Sequence, residues 1–128
     1  MPEKKYFTVE EANRLIPRLT TIVRELRRSR EHLQQQRPTA ETVAQNSGGN
    51  GGGADTSAYL FEYAQSLRRD LAELEAMGVV LKDVDRGLVD FPHLRGGRRE
   101  VYLCWEVGER QINYWHDVDS GYAGRQPL

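Results

Sequence analysis

Apolar side chains near the amino terminus recur at the spacing of an amphipathic helix with one apolar stripe. These positions are Ala12, Leu15, Ile16, Leu19, Ile22, Val23, Leu26 and Leu33. Thr8 and Glu11 form a capping box just before the stripe. Pro17 interrupts the pattern, because a proline inside a helix removes a backbone donor and clashes with the preceding turn. We therefore expect a short helix over residues 9–15, a break or kink, and a longer helix over residues 17–36 with Pro17 in its first turn.

A second stripe of helical spacing follows a glycine-rich segment. Its apolar positions are Tyr59, Leu60, Tyr63, Ala64, Leu67, Leu71 and Leu74, and its candidate amino-terminal caps are Asp55, Thr56 and Ser57. Gly78 supplies a stop, so the second long helix is expected over residues 57–77. Residues 37–56 contain almost no side chain that a core would bury, so their composition predicts a flexible insert. Two amphipathic helices joined by such an insert indicate a helical hairpin.

The pattern changes to short β-type runs after Gly78. The runs cover residues 79–81, 88–91, 100–107 and 110–116. Residues 85–87 and 96–97 supply turns between them, and Pro92 is expected to end the second run. The sequence therefore predicts a single α+β domain over residues 1–128, in which a helical hairpin packs on a small three- to four-stranded antiparallel sheet.

Strand alternation gives the last predicted hairpin two different faces. If Gly108-Glu109 is a two-residue turn, the opposed pairs are Trp105–Ile112, Leu103–Tyr114 and Val101–His116. The core face then holds Val101, Leu103, Trp105, Ile112, Tyr114 and His116. The other face holds Tyr102, Cys104, Glu106, Gln111, Asn113 and Trp115. This mixed face is too aromatic for a solvent face and too polar for a core. It indicates a subunit interface, a ligand floor, or a concave sheet face half-covered by the chain's own tail.

Length and charge exclude several classes of protein. At 128 residues the chain fits one domain, and its net charge of −1 gives no global field that would attract nucleic acid or an acidic membrane. No stretch approaches the roughly 20 apolar residues of a membrane span. Cys104 is the one cysteine, so no internal disulfide forms, and the amino terminus has no apolar secretory region. We expect a cytoplasmic protein that binds neither nucleic acid nor a membrane.

Imidazole and carboxylate groups near the carboxyl terminus are the candidate metal ligands. They are Asp90, His93, Glu106, His116 and Asp117. Such side chains suit zinc, manganese, iron or nickel, and a site needs three or four of them to converge. No strong pattern such as HExxH or paired CxxC is present, so a divalent metal is a hypothesis alongside ordinary polar loops. In the expected register Cys104 and His116 lie on opposite faces, which argues against a thiol nucleophile.

Three segments of the chain together resemble a known family. They are FTVEEANRLIPRL, GVVLKDVDRGLVDFP and VYLCWEVGERQINYWHDVDSGYAGRQPL. Their combination of GLVDFP, LCW, a Gly-Glu turn, WH and GRQP is similar to that of small stand-alone prokaryotic proteins classed as a domain of unknown function. The resemblance covers roughly everything except residues 37–56. It implies a bacterial or archaeal domain with its signature in the carboxyl-terminal block. It implies no activity, so no catalytic residue is carried over.

These observations favour a non-enzymatic binding or assembly module. Its surface would comprise Tyr102, Glu106, Asn113, Trp115 and Arg125. A homodimer is the simplest way to cover the aromatic side chains of this surface, and a small ligand is the other expected occupant. Arg125 is expected to pin the tail to Glu106 or Asp90, and the alternative is that it clamps a ligand carboxylate. The alternative function is a small metal-dependent hydrolase or lyase with a His/carboxylate site near His116.

Overall fold

The computed structural model describes residues 4–35 and 52–128. Within them, two α-helices precede a five-stranded antiparallel sheet whose strands lie in chain order. The helices are α1 (Val9–Gln35) and α2 (Gly52–Met77), and the strands are β1 (Val80–Asp83), β2 (Leu88–Arg95), β3 (Arg99–Glu106), β4 (Tyr114–Asp117) and β5 (Gln126–Pro127), with a short 3-10 helix (Tyr122–Gly124) before β5. The predicted α+β class, with a helical hairpin on a sheet, is confirmed. Among the described residues, no helix has the length and apolar character needed to cross a membrane.

Helix α1 runs through Pro17 without interruption, so the predicted division into two helices is wrong. Pro17 is exposed, and the apolar stripe continues past it with Ile16 and Leu19 buried on either side. Pro17 has no N–H to donate to the carbonyl of Asn13, one turn earlier. Packing of the stripe maintains the helix despite that missing bond, because tertiary contacts supply most helical stability in proteins.

The start of α1 and the end of α2 follow local sequence rules, whereas the start of α2 does not. The capping box is confirmed: Thr8 N donates to Glu11 Oε1 and Glu11 N donates to Thr8 Oγ1, each at 3.0 Å. Gly78 follows the last residue of α2 with φ of +85°, a conformation that favours glycine. Helix α2 begins at Gly52, however, so the predicted start near residue 57 is wrong and all three candidate caps lie inside the helix. The rest of the predicted flexible insert lies outside the described residues.

Strand β2 continues through Pro92 as far as Arg95, so the prediction that Pro92 ends it is wrong. The N–H and C=O of one strand residue point to the same side, and Pro92 O accepts a bond from Phe7 N at 2.8 Å. Strand β1 does not extend to Pro92, because the β1–β2 pair nearest to Pro92 is Val80 with Asp90. The missing N–H of Pro92 therefore removes no bond from the sheet ladder.

The connection between β3 and β4 is a loop over residues 107–113, not a two-residue turn. Trp105 Nε1 donates to Glu109 O at 2.9 Å, and Ile112 N donates to Asn13 Oδ1 at 2.6 Å. The second bond uses a backbone donor, Ile112 N, that a tight hairpin would have paired with Trp105. The predicted pairs are therefore wrong, and the observed pairs are Val101–Asp117, Tyr102–His116, Leu103–Trp115 and Cys104–Tyr114.

This difference in register exchanges the two faces of β4, because successive side chains alternate. Trp115 joins the core, whereas Tyr114 and His116 lie on the other face with Cys104. The predicted core positions of β3 are correct: Val101, Leu103 and Trp105 are fully buried. They pack with the stripe of α1, and the other core members include Phe7, Ile16, Leu19, Ile22, Leu26, Leu74, Val89 and Phe91. One face of the sheet is thus covered by the helices, and the other carries the polar group described next.

Candidate metal centre

Three side chains with metal-ligating atoms meet on the sheet face that points away from the helices. They are Asp90 of β2, Cys104 of β3 and His116 of β4. Asp90 is directly opposite Cys104, and His116 is opposite Tyr102, two positions along β3, so alternation brings all three to one face. Their ligand atoms all lie within 4.8 Å of one another. The residues are 1%, 1% and 2% exposed, so the group is closed to solvent.

The hydrogen bonds of His116 fix the orientation of its ring. Nδ1 lies 2.7 Å from the backbone oxygen of Asp117, which can only accept, so Nδ1 carries a hydrogen and donates. Nε2 lies 2.9 Å from Oδ2 of Asp90, and one proton is shared between these two atoms. Loss of that proton leaves an Nε2 lone pair directed at Asp90. This is the arrangement of a metal-ligating histidine whose other nitrogen is held by a backbone carbonyl.

The Asp90 carboxyl group has one oxygen without a close hydrogen-bond partner in the described part of the chain, although the Cys104 thiol also interacts with the group. Burial raises the pKa of Asp90, and the neighbouring His116 opposes that effect. Oδ2 is bonded to His116, whereas Oδ1 is buried and has no hydrogen-bond partner among the described residues. A buried carboxylate oxygen without a partner costs free energy, which a bound cation would recover.

Cys104 contributes a thiol that is a poor nucleophile in this environment. Burial raises its pKa to about 11, and the charge of Asp90 acts in the same direction. The thiol is therefore protonated at neutral pH. A catalytic Cys–His–Asp arrangement needs one histidine nitrogen on the thiol and the other on the carboxylate. Here Nε2 of His116 faces Asp90 and Nδ1 faces a backbone oxygen, so the three side chains do not form such a catalytic arrangement.

The structure brings together two of the five side chains named from the sequence as metal ligands, Asp90 and His116. His93 lies on the helix-facing side of β2. The other two acids lie apart from the group and face arginines. Nδ1 of His93 lies 2.6 Å from the backbone oxygen of Phe7. Asp117 forms an ion pair with Arg99, and Glu106 lies 3.9 Å from Arg86. The third side chain of the group is Cys104, which is not among those five.

The surface predicted to bind a partner is also rearranged. Trp115 is 5% exposed and belongs to the core, so it offers no area to a partner or a ligand. Tyr102 is half-buried with its ring 5.6 Å from that of His116, and Asn113 is exposed. Arg125 does pair with an acid, but that acid is Glu109 at 2.6 Å rather than either predicted partner.

Register explains why sequence reasoning set Cys104 aside. With a two-residue turn, Cys104 and His116 fall on opposite faces, and the observed longer loop puts them on the same face. The sequence did hold one indication of that loop. Residues 108–111 read Gly-Glu-Arg-Gln and contain no β-branched or aromatic side chain, which is typical of a loop rather than of strand ends.

The fold and the site define an α+β domain with a buried Asp/Cys/His group on one face of its sheet. The chain belongs to a family of uncharacterized conserved proteins, DUF2203, whose model matches residues 5–128. The resemblance to a domain of unknown function is thereby confirmed, and the match includes all three side chains of the group. Neither the curated proteins nor the solved structures contain a match to this chain.

Proposed function

We propose that this protein is a metal-binding module that holds one divalent transition metal ion, zinc by ligand type, between Asp90, Cys104 and His116. One observation carries the proposal: a carboxylate, a thiol and an imidazole place ligand atoms within 4.8 Å of one another inside the fold. Thiolate, imidazole and carboxylate are the usual protein ligands of zinc. Calcium and magnesium prefer oxygen ligands throughout, so the sulfur of Cys104 disfavours them.

The geometry needs only small side-chain shifts to accept an ion. Bonds of about 2.0–2.3 Å in a tetrahedral zinc site place the donor atoms about 3.5 Å from one another. Oδ2 of Asp90 and Nε2 of His116 are 2.9 Å apart and would separate slightly when the shared proton is replaced by the metal.

Charge balance favours the same occupant. A doubly charged cation with one carboxylate and one thiolate is neutral overall, which reduces the cost of burying the ions. Arg125, which donates to the backbone oxygen of Cys104, is itself neutralised by Glu109. The metal also replaces the thiol proton, because a coordinated cysteine binds as the thiolate.

Closure of the site supports a non-enzymatic role over the alternative of a hydrolase or lyase. A catalytic zinc keeps one coordination position for water or substrate, whereas a structural zinc is enclosed by protein ligands. All three side chains are at most 2% exposed, so substrate has no path to an ion held between them. A cytoplasmic location also suits the proposal, because its reducing conditions keep Cys104 available as a ligand.

Metal titration of the purified chain tests the proposal. We expect one Co²⁺ or Zn²⁺ per chain, and a thiolate-to-Co²⁺ charge-transfer absorption in the cobalt form. Cys104→Ser should abolish that absorption, and Asp90→Asn and His116→Gln should each weaken binding by about 100-fold or more.

His93→Gln is the matched control. His93 lies three residues after Asp90 on β2 and on the other face of the sheet. The variant should bind metal as the unchanged chain does. Failure of the unchanged chain to bind either ion would refute the proposal. Equal losses in His93→Gln and His116→Gln would place the metal elsewhere.

A further inference from the structure

The burial of the metal-ligand group has an unusual source. Asp90, Cys104 and His116 lie on the sheet face that the helices leave uncovered, where side chains are normally exposed to water. They are nevertheless at most 2% exposed. The end of the chain, residues 122–128, lies against this face beside Cys104, and we call this segment the C-terminal strap.

Arg125 is the main attachment of the strap to the site. Its Nη2 donates to the backbone oxygen of Cys104 at 3.1 Å and to Oε1 of Glu109 at 2.6 Å. Its guanidinium group also lies over the rings of Tyr114 at 4.2 Å and Tyr122 at 4.8 Å. The side chain is 13% exposed. Arg125 therefore connects the strap to the strand residue that supplies the sulfur ligand and to the neighbour of that residue across the sheet.

The remaining attachments of the strap are weaker. Arg86 lies 3.9 Å from the ring of Tyr122 on the side of the sheet near β2. Strand β5 has only Gln126 and Pro127, and its single neighbour is β4. Leu128 N donates to Asn113 O at 2.9 Å, but residues 126–128 are all exposed. Chain ends with few buried contacts open locally at a low free-energy cost.

We propose that the C-terminal strap gates metal exchange at the Asp90/Cys104/His116 site, and that Arg125 holds the strap closed. The inference rests on the proposed metal-binding function and adds its regulation. The strap supplies no atom to the ligand group, so its opening exposes the site without removing a ligand. Arg125 of the strap is bonded to the backbone oxygen of Cys104, the residue that supplies the sulfur ligand. Release of the strap therefore uncovers the site first at Cys104.

A gate has a kinetic property that a simple stabilising contact lacks. Opening the strap more often raises the rates of metal uptake and metal release by the same factor, which leaves the dissociation constant unchanged. A residue that only stabilises the bound metal changes the release rate and the dissociation constant together, with little effect on uptake.

Stopped-flow measurement of Co²⁺ uptake and of Co²⁺ release to an excess of chelator separates these cases. Arg125→Met keeps the length of the side chain and removes its ion pair and its hydrogen bonds. We expect uptake and release each to accelerate about tenfold, with the dissociation constant within twofold of the unchanged chain. Arg18→Met is the matched control, because it removes an Arg–Glu ion pair between α1 and α2, away from the sheet. Both of its rates should be unchanged.

Three results overturn the gate. Equal rates in Arg125→Met and the unchanged chain would do so, as would faster release with an equal rise in the dissociation constant. If Arg125→Met fails to fold, Glu109→Gln replaces it, because that change weakens the same ion pair from the loop side. The third refuting result is that Glu109→Gln accelerates neither uptake nor release. A chain that takes up no Co²⁺ at all contradicts the proposed metal-binding function itself, which is a distinct outcome.

Discussion

Asp90 and His116 form a hydrogen bond of 2.9 Å although their strands are not neighbours. Strand β3 runs between them, and strands two apart in a sheet are separated by about 9.6 Å. The two side chains must therefore lean over Cys104, which is the residue of β3 opposite Asp90. This arrangement assembles one donor from each of three consecutive strands. It also makes the group sensitive to protons, since metal and proton compete for the same atoms.

Metal affinity should rise with pH between pH 6 and 8. The thiol of Cys104, whose pKa burial raises to about 11, holds its proton over this whole range and must release it to bind metal. That proton makes the apparent association constant rise about tenfold per pH unit. Competition with a chelating dye of known pH dependence measures it. A flat profile would show that no thiolate is formed on binding.

A second buried acid lies between the helices. Asp70 of α2 is 4% exposed, and its Oδ2 has no hydrogen-bond partner among the described residues. Burial, followed by the charge of Glu25 on α1, raises the pKa of Asp70 to about 6 from its usual 3.8. The folded state thus holds this proton more tightly than the unfolded state does. The resulting contribution to stability is full below about pH 4 and is lost as the pH rises through about 6.

Asp70→Asn should therefore stabilise the protein at pH 7.5, by about 2 kcal/mol, because the amide carries no charge and can donate to Glu25. At pH 4 the variant and the unchanged chain should have nearly equal free energies of unfolding. Urea denaturation of the metal-free protein at the two pH values tests this. A difference of the same size at both would show that charge at position 70 has no part in it.

Gly87, in the turn before β2, is a position where only glycine fits. Its φ is +67°, and a Cβ there would lie 2.8 Å from Cβ of Val107 and 3.3 Å from Cγ1 of Val23. We expect Gly87→Ala to lower the free energy of unfolding by about 3 kcal/mol, measured by urea denaturation. Gly96→Ala is the control, since Gly96 has φ of +64° with no atom within 4 Å. It should cost about 1 kcal/mol, from backbone strain alone. Equal costs would show that the contact with Val107 is unimportant.

Pro17→Ala tests the continuity of α1. In an unbroken helix the substitution restores an N–H that donates to the carbonyl of Asn13 and relieves the clash of the proline ring. Because alanine also increases the entropy of the unfolded chain, we expect a net stabilisation of about 1.5 kcal/mol by thermal or urea denaturation. A helix that began at Pro17, as the sequence alone indicated, would instead be destabilised or unchanged by the substitution.

The sequence was sufficient for the features that depend on local pattern. The capping box at Thr8, the stop at Gly78 and the buried alternation of Val101, Leu103 and Trp105 all follow from spacing and are observed. Each depends on residues close in the chain or on a strict period of two. The class of fold follows from the same patterns.

The metal-ligand group could not be assembled in that way, because it depends on contacts between distant residues. Asn13, on the first helix, accepts the bond from Ile112 that helps set the loop between β3 and β4. That loop decides whether Cys104 and His116 share a face. The continuity of α1 through Pro17 is a similar case, since packing against the sheet outweighs a local rule.

X-ray absorption spectroscopy of the zinc-loaded protein identifies the atoms bound to the metal. We expect one sulfur neighbour at about 2.3 Å and all other neighbours to be nitrogen or oxygen at about 2.0–2.2 Å, with the sulfur absent in Cys104→Ser. A zinc shell made of nitrogen and oxygen alone in the unchanged chain would contradict a site formed by Asp90, Cys104 and His116.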